Sequence, residues 1–339
     1  MTVINPPAEQ WNQFVNRHPH AHVLQLAGWA DLKTAYGWQS ARVGITDADG
    51  TIIAGAQLLF RVLPMRLGAM AYLPCGAYVT DEAQWTRLWD AIHACAKKHG
   101  AAFLKWEPGF YLDDAMPDFT QWDFVESPQT IQPPSTIMLN IADDDDAIMK
   151  RMNQGTRRKI RKSLKNDIYY TEASADDVQK FTQMMQTTGD RNDFGVHHPA
   201  YYEDAYRLLV PENAALILAE YENDVLAGLF VTATGGTAQY LYGASSNIKR
   251  KLMASYGVQW QAIQWAKARG CTYYDMWGIP DESAEILEAE FKDRNDGMWG
   301  VYGFKRGFGG EVVRSAGAWD FVYNRLIYAA YRTALKMRG

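Results

Sequence analysis

A lysine late in the chain has an aromatic and glycine-rich setting. Lys305 lies in the segment GMWGVYGFKRGFGGE (297–311), in which Tyr302, Phe304 and Phe308 surround it in sequence and glycines permit tight turns. We expect such a cation to be buried or to lie in a groove, where it could donate hydrogen bonds to an oxyanion or a phosphate. The alternative is a packed lysine stem with its ammonium in water. The pattern favours a functional cation.

A second concentration of charge occupies residues 150–165. This stretch carries eight basic residues and no acid, and it follows four consecutive aspartates at 143–146, in a chain of net charge −5. Its helical periodicity predicts inward positions at Met149, Met152, Ile160 and Leu164. The basic side chains form either a solvated helical face or a surface for a polyanion such as RNA, which would relieve their mutual repulsion.

Common catalytic and metal-binding signatures are missing. The sequence has no G-x-S-x-G, H-E-x-x-H, P-loop or paired C-x-x-C motif, and its three cysteines are far apart. His18, His20 and His22 alternate, but without nearby carboxylate or cysteine partners they favour a capping or loop role over a metal site. We expect no metal and no cofactor. No signal peptide or apolar run of membrane-spanning length is visible, which predicts a cytoplasmic protein.

The chain repeats itself at an offset of about 170 residues. Residues 41–62 and 215–234 each read as strand, acidic turn and strand, with Ala-Gly pairs at 54–55 and 227–228. In both halves a short aromatic strand, a helix ending in glycine and a further strand follow. This order predicts an α+β (mixed α/β) protein with two domains, 1–142 and 143–318, and a ligand groove between them.

The order of elements in each half resembles the acyltransferase fold of the GNAT superfamily. Members of that superfamily hold the pyrophosphate of acyl-CoA on backbone amides of a glycine-rich loop. The corresponding segment here, 249–256, lacks both glycines, so side chains would block the approach of a pyrophosphate to the backbone. We expect two tandem GNAT-like domains that have lost the CoA site.

Seven short motifs are spread over the chain: Gln25…Trp29-x-x-x-Lys33, Trp106-Glu107-Pro108, TRRKIR (156–161), Tyr201-Tyr202, YLYGAS (240–245), YDMWGI (274–279) and FKRGF (304–308). Together they resemble the Fem (FemABX) family of peptidoglycan-bridge aminoacyltransferases over essentially the whole chain. The resemblance implies two GNAT-like domains. It also implies transfer of an amino acid from aminoacyl-tRNA to the side-chain amine at position three of a peptidoglycan precursor's stem peptide.

The resemblance also implies residue roles. Lys33 matches a lysine that contacts the precursor phosphate. The usual partner of that lysine is an arginine four residues before a tyrosine, whereas His197 precedes Tyr201 here, and Arg191 is near enough in sequence to substitute. The remaining matches are Glu107 to an acidic residue before proline, Tyr240 and Tyr242 to groove tyrosines, and Phe304 and Lys305 to the pair nearest the acyl-transfer centre.

Larger Fem proteins carry a long helical arm thought to bind tRNA. Between Tyr242 and Tyr273 this chain has room for only one turn and one helix, so it resembles the short, armless type. Binding of tRNA would then depend mainly on the acceptor end, through Lys305 and the basic residues Arg157, Arg158, Lys159 and Arg161.

The reaction implied by the resemblance is aminolysis of an ester, which needs alignment and charge stabilisation but no protein nucleophile. Lys305 would stabilise the oxyanion or the departing ribose oxygen, and the amine would lose its proton to Glu107 or to the substrates themselves. The acceptor would be a UDP-linked or a lipid-linked precursor. Two alternatives are an acyl-CoA-dependent N-acyltransferase of the same fold and a non-catalytic RNA- or precursor-binding protein.

The C-terminal segment has the pattern of an amphipathic basic helix. Apolar residues recur at 319, 322, 323, 326, 327 and 330, and Arg325, Arg332, Lys336 and Arg338 add positive charge. We therefore predict a helix over 319–339, which either packs on the protein or contacts a membrane surface.

Overall fold

The computed structural model describes residues 1–192 and 195–337, and for residues 190–192 it describes the backbone alone. The chain divides into two compact units, the first formed by Met1–Pro134 and the residues from Arg314 onward, the second by Ser135–Val313. These limits lie near the predicted domains, 1–142 and 143–318, except that the residues after 314 return to the first unit. Among the described residues, no helix is both long and apolar enough to cross a lipid bilayer.

Helices and strands follow one another throughout both units. The first stretch contains β1 (Thr2–Ile4), α1 (Ala8–Arg17), α2 (Ala27–Ala35), β2 (Gln39–Thr46), β3 (Ile52–Val62), β4 (Ala69–Pro74), β5 (Tyr78–Val79), α3 (Trp85–Lys98), β6 (Ala101–Glu107) and β7 (Val125–Glu126). The middle stretch contains β8 (Ser135–Asn140), α4 (Asp145–Arg151), α5 (Gln154–Lys165), β9 (Tyr169–Glu172), α6 (Val178–Asn192), α7 (Pro199–Leu209), β10 (Ala214–Tyr221), β11 (Asp224–Thr234), β12 (Thr237–Ser245), α8 (Ala254–Ala268), β13 (Tyr273–Asp275), α9 (Ala284–Glu290), α10 (Trp299–Lys305) and β14 (Glu311–Arg314). The chain then returns to the first unit with β15 (Trp319–Val322) and α11 (Arg325–Lys336).

Each unit is built on one mixed sheet. In the first unit the strand order is β1-β2-β3-β4-β6-β15-β7, with β5 paired to β3, and in the second it is β14-β8-β13-β12-β11-β10-β9. The meander β2-β3-β4 with its parallel neighbour β6 has the same pairing as β10-β11-β12 with its parallel neighbour β13. The connecting helices are α3 and α8. The predicted repeat and the mixed helix-and-sheet class are therefore confirmed.

The repeated Ala-Gly pairs have a packing reason. A Cβ added to Gly55 would lie 2.6 Å from the Trp11 ring of α1, and one added to Gly228 would lie 3.0 Å from the Phe181 ring of α6. At the same place in both sheets, the missing side chain lets an aromatic ring from a covering helix lie directly on the strand.

Alternate residues of β6 face different helices. Leu104 packs with Leu88 of α3, whereas Phe103 packs with Tyr328 of α11. Since successive side chains of a strand point to opposite faces, α3 and α11 cover opposite faces of the first sheet.

The C-terminal segment differs from the predicted single helix over 319–339. Its first four residues form β15, which pairs with both β6 and β7, and the helix begins only at Arg325. The apolar pattern at 319 and 322 comes from a half-buried strand, and the predicted inward residue Leu326 is 84% exposed. Tyr328 is the buried anchor of the helix instead.

A buried ion pair fixes this returning segment. The ammonium of Lys105 in β6 lies 3.0 Å from Asp320 in β15, and the two side chains are 1% and 0% exposed. Lys105 also donates to the carbonyl of Gln129 at 2.9 Å and to the Ser127 hydroxyl, and the Tyr328 hydroxyl donates to Asp320 at 2.8 Å. These bonds compensate the two charges for their loss of water.

We expect Asp320→Ala to destabilise the first unit by about 3–5 kcal/mol, because it leaves the Lys105 ammonium buried without its counter-charge. Tyr328→Phe, which removes only one hydrogen bond, should cost about 1–2 kcal/mol. Urea unfolding followed by tryptophan fluorescence measures both. The double variant Lys105→Met/Asp320→Leu should recover part of the loss, and an unchanged midpoint for Asp320→Ala would contradict the role of the pair.

Candidate active site

Lys305 is buried, as the sequence predicted. It is the final residue of α10 and is only 8% exposed. Its ammonium donates to the backbone carbonyl of Gly278 at 2.6 Å and to that of Trp277 at 3.1 Å. An ammonium has three N–H donors, and no described residue accepts the third.

The turn that presents these carbonyls follows the end of β13. Trp277 has a φ of +59°, in the left-handed region that non-glycine residues seldom adopt. Its N–H donates to Asp275 at 2.7 Å, and Asp275 also accepts a hydrogen bond from the Thr136 hydroxyl. A strained backbone held by a buried carboxylate is typical of functional sites.

Burial dominates the electrostatics of this cluster. It lowers the pKa of Lys305 to about 8, and the nearby Asp275 carboxylate only partly offsets that effect. Burial likewise raises the pKa of Asp275, against the hydrogen bonds from Thr136 and Trp277. The Tyr240 ring centroid lies 5.7 Å from the Lys305 ammonium, and burial raises the pKa of Tyr240 to about 12. The cluster thus holds a cation that can lose its proton near neutral pH beside a neutral phenol.

A β-bulge separates the two tyrosines that the sequence analysis placed in one groove. In β12, Tyr240 pairs with Val231 and Tyr242 pairs with the adjacent Phe230, so Leu241 is the extra residue. Tyr240 therefore packs on the face of α8, whereas Tyr242 contacts Phe230 on the other face. The two side chains therefore lie on opposite faces of the second sheet. Gly243 completes the arrangement, since a Cβ there would overlap the Tyr240 hydroxyl.

His197, Tyr201 and Tyr242 do lie together, on the opposite face of the second sheet from Tyr240. The His197 ring stacks on Tyr201 with centroids 3.8 Å apart, and the hydroxyls of Tyr201 and Tyr242 are 3.1 Å apart. The hydroxyl of Tyr202 accepts a hydrogen bond from the backbone N–H of His197 at 3.2 Å. The side chain of Arg191, the proposed substitute cation, lies outside the described residues.

The basic stretch is two helices rather than one. The chain breaks at Met152 and Asn153 between α4 and α5, and the Asn153 side chain caps α5 by accepting from the Thr156 N–H at 2.7 Å. Met152 and Ile160 are buried as predicted, whereas Leu164 is 39% exposed and Ser163 takes its place inside. The predicted inward position at Leu164 is wrong because α5 presents small polar residues to α8.

The basic residues of α5 fall into two groups. Arg157 donates to the carbonyl of Met152 at 2.5 Å, and Lys159 donates to the Tyr256 hydroxyl at 2.9 Å and lies over that ring. Arg158 and Arg161 are exposed instead. The exposed residues border an open depression of about 560 Å³, which Arg157 also reaches. Its lining residues are Gln154, Arg157, Arg158, Arg161, Lys162, Lys165 and Asn166.

Helix α5 is fastened to the segment that carries Lys305. The Asn153 N–H donates to the carbonyl of Gly307 at 3.1 Å, and a Cβ on Gly307 would lie 2.3 Å from the Thr156 hydroxyl. Phe304 and Tyr256 make an edge-to-face contact at 5.0 Å. The exposed basic face and the buried lysine therefore belong to one packed assembly within the second unit.

The segment that replaces the CoA loop is closed by its own hydrogen bonds. Lys249 and Met253 have φ values of +48° and +61°, and the N–H groups of Leu252 and Met253 donate to the carbonyls of Lys249 and Arg250. These two amides are therefore engaged within the turn that precedes α8.

The first unit contains a separate pair of cations. The ammonium of Lys33 lies 4.5 Å from the Trp29 ring centroid, and the guanidinium of Arg61 lies 5.3 Å from that of Trp38. Burial and the neighbouring positive charge of Arg61 lower the pKa of Lys33 to about 8. The sequence analysis missed Arg61, since only the packing of α2 on the sheet brings the end of β3 close to Lys33.

Glu107 is also in the first unit, and its carboxylate is fully engaged. It accepts hydrogen bonds from the Tyr72 hydroxyl and from the N–H groups of Ile131 and Gln132. Burial raises its pKa, and these donors oppose the shift. Through these hydrogen bonds the Glu107 carboxylate holds the backbone of residues 131–132 in place. His22 has a similar local task, because its ring accepts the Leu24 N–H, which confirms the predicted capping role.

Known proteins of one family are similar to this chain over nearly its full length. The model of the FemAB family matches residues 7–121, 119–224 and 212–336. The Lipid II:glycine glycyltransferase of Staphylococcus saprophyticus is 26% identical over 403 aligned residues, covering 97% of this chain and 94% of that protein. The Staphylococcus aureus (strain USA300) protein of the same name is 24% identical, covering 94% and 92%.

Solved structures agree on the fold. The crystal structure of FemX superposes with a TM-score of 0.88 at 22% identity, covering 97% of this chain and 99% of that chain. A tandem GNAT protein from the clavulanic acid biosynthesis pathway superposes with a TM-score of 0.51 at 11% identity, covering 95% and 98%. The segment between Tyr242 and Tyr273 contains one short turn and α8, without a longer helical arm. Two tandem GNAT-like units and a family model that matches nearly every residue lead to one conclusion: this chain belongs to the FemAB family.

Proposed function

We propose that this protein transfers an amino acid from aminoacyl-tRNA to an amine on the stem peptide of a peptidoglycan precursor. Family membership and the glycyltransferase names of its relatives support aminoacyl transfer in the formation of peptidoglycan bridges. The geometry of the second unit supports the choice of donor and the role of Lys305. The observation that carries them is the buried Lys305 ammonium, with one N–H not bonded within the described chain.

The reaction forms an amide bond and breaks an ester bond. The acceptor nitrogen attacks the ester carbonyl carbon, the bond from that carbon to the ribose oxygen breaks, and the amine proton ends on the ribose oxygen. We assign the third N–H of Lys305 to the oxygen that carries the developing negative charge. The surroundings make this donation strong, because Lys305 is only 8% exposed and little water competes.

The proton needs a route that does not depend on Glu107. All described partners of that carboxylate are donors that hold it in place, and the neutral Tyr72 hydroxyl is one of them. We therefore assign the proton transfer to the substrates, from the attacking amine to the departing ribose oxygen. Tyr240 lines the same site as a neutral phenol, and Trp277 and Phe304 offer rings for the terminal bases of the donor.

A tRNA donor explains the exposed part of α5. Arg158, Arg161, Lys162 and Lys165 are exposed on the helix that is fastened to the Lys305 segment through Gly307. A phosphate backbone would neutralise their mutual repulsion. The rival donor, acyl-CoA, is disfavoured because the segment 249–256 lacks the two loop glycines and the N–H groups of Leu252 and Met253 are bonded within their own turn.

For the acceptor, we assign the precursor phosphate to Lys33 and Arg61. Two cations near each other, each lying over a tryptophan ring, form a site for an anion rather than for a neutral sugar. His197, which replaces the usual arginine, stacks on Tyr201 in the other unit. Arg61 thus supplies the second positive charge that the sequence analysis sought at Arg191.

We expect Lys305→Met to lower kcat by about 10²–10³-fold, the usual effect of removing one oxyanion donor. Wild-type activity should stop rising with pH above about 8, where Lys305 loses its proton, whereas the residual activity of the variant should continue to rise as the acceptor amine deprotonates. Steady-state transfer assays over a pH series measure both effects. Lys292→Met, at an exposed lysine of the same unit, is the control, and a near-normal rate for Lys305→Met would refute the assignment.

Transfer should require charged tRNA, be abolished by ribonuclease and weaken steeply with salt. Arg158→Glu/Arg161→Glu should raise the KM for aminoacyl-tRNA and reduce the salt slope by about 0.7–0.9 for each lost phosphate contact. Lys97→Glu/Lys98→Glu makes the same change of net charge on α3 of the first unit and should leave the slope unaltered. Activity with acyl-CoA alone, insensitive to ribonuclease, would establish the rival reaction instead.

Lys33→Ala and Arg61→Ala should each raise the KM for the precursor by about 10–100-fold, as expected for a lost hydrogen bond to a charged group. Their kcat should change little, because phosphate binding far from the reacting atoms is nearly equal in the ground and transition states. Initial rates at varied precursor concentration distinguish the two parameters. If kcat fell and KM stayed constant, the anion site would not be a binding site for the acceptor.

A further inference from the structure

Two exposed segments of the first unit are both apolar and basic. One is the end of β3 with the turn that leads to β4, residues 61–68, and the other is the outer side of α11 with the residue that follows it. We call them together the basic-apolar face. Its exposed large apolar side chains are Val62, Met65, Leu67, Leu326 and Met337, with exposed fractions of 59%, 85%, 41%, 84% and 82%.

The two segments are neighbours in the folded unit. Leu63 from the turn and Ile327 from the helix both pack against the small cluster of Ala102, Phe103 and Tyr328. Met70, which pairs with Arg61 across the β3-β4 hairpin, packs against the same cluster. The exposed residues of both segments therefore flank one common anchor.

All charges on this face have the same sign. Residues 61–68 and 325–337 contain no aspartate or glutamate, although the whole chain has a net charge of −5. Their five cations, Arg61, Arg66, Arg325, Arg332 and Lys336, are exposed, and none forms an ion pair with another described residue. Such a face attracts a surface of opposite charge.

The tip of the turn, Met65 and Arg66, has an uncommon backbone conformation and is exposed. Met65 and Arg66 have φ values of +55° and +56°, so two successive non-glycine residues lie in the left-handed region. Met65 is the most exposed large apolar residue of the face, and Arg66 stands beside it. The alternation of an apolar and a basic side chain at a turn tip suits a boundary between hydrocarbon and anionic headgroups.

We propose that the basic-apolar face docks on the surface of an anionic phospholipid bilayer. Met65 and Leu326 would enter the boundary between headgroups and acyl chains, and Arg66, Arg325, Arg332 and Lys336 would bind lipid phosphates. A nucleic acid would match the charges but not the five exposed apolar side chains, which favours a bilayer. Helix α11 has 12 residues and packs on the unit through Tyr328, so it would lie along the surface and not cross it.

Docking in this way also indicates the class of acceptor substrate. Only this second step rests on the proposed function. Arg61 is both the first residue of the segment 61–68 and the cation beside Lys33. The assigned phosphate site would therefore lie next to the bilayer surface, where the diphosphate of a lipid-linked precursor is found. A lipid-linked acceptor is favoured over a nucleotide-linked one.

Vesicle flotation tests the docking without any substrate. The full-length protein should float with vesicles of equal parts phosphatidylglycerol and phosphatidylcholine, and remain below with phosphatidylcholine alone. Arg66→Glu/Arg332→Glu/Lys336→Glu should reduce binding by at least about tenfold, since each basic residue near an anionic surface contributes appreciably. Met65→Asn/Leu326→Gln should do the same without altering the charge, and asparagine tolerates the left-handed backbone at position 65.

Lys97→Glu/Lys98→Glu, with two charge reversals against three, is the control for charge, because α3 covers the opposite face of the same sheet; its binding should equal that of the wild type. Circular dichroism melting of each variant checks that the fold is retained. Lack of wild-type binding, or binding that both sets of substitutions leave unchanged, would overturn the proposal. Transfer to a water-soluble precursor, measured without vesicles, should be equal for wild type and Met65→Asn/Leu326→Gln, so failure of docking and failure of the proposed function are distinguishable.

Discussion

Removing the ammonium of Lys305 from water is the constraint on which the second unit depends. Two backbone carbonyls must replace the lost water, and they can converge only because Trp277 adopts a left-handed conformation. Asp275 holds that conformation and also opposes the fall in the pKa of Lys305. The ring of Tyr240 fits beside the cation because Gly243 has no side chain. Each of these residues supports the buried charge. Burying a charge costs free energy, so a lysine held in this way indicates a functional site.

The two units use one topology for different chemistry. In each, the parallel strand pair ends with a buried carboxylate, Glu107 opposite Pro74 and Asp275 opposite Gln239. In the first unit the carboxylate receives a tyrosine hydroxyl and two backbone N–H groups, so it fixes the chain. In the second it supports a turn that binds a lysine. The shared topology supplies equivalent positions, and local partners decide which of them holds a cation.

Periodicity and composition were enough to predict the repeat, the mixed sheets and the burial of Lys305, because these depend on residues close in sequence. The bulge at Leu241 could not be predicted, since a strand with alternating aromatic residues gives no sign of where its register shifts. The proximity of Arg61 to Lys33 was also hidden, because it depends on how α2 packs on the sheet. Residues 319–322 have an apolar pattern that fits a helix and a strand equally, and only their pairing with β6 decides between them.

The return of the chain to its first sheet has a consequence for biosynthesis. Strand β15 lies between β6 and β7, yet a ribosome makes it only after the whole of Ser135–Val313. Until then β6 lacks one neighbour, and the ammonium of Lys105 lacks the carboxylate that balances it. The second unit has all its strands earlier and can fold while the first waits with an open sheet edge. The sheet of the first unit can therefore be completed only after every strand of the second unit has been made.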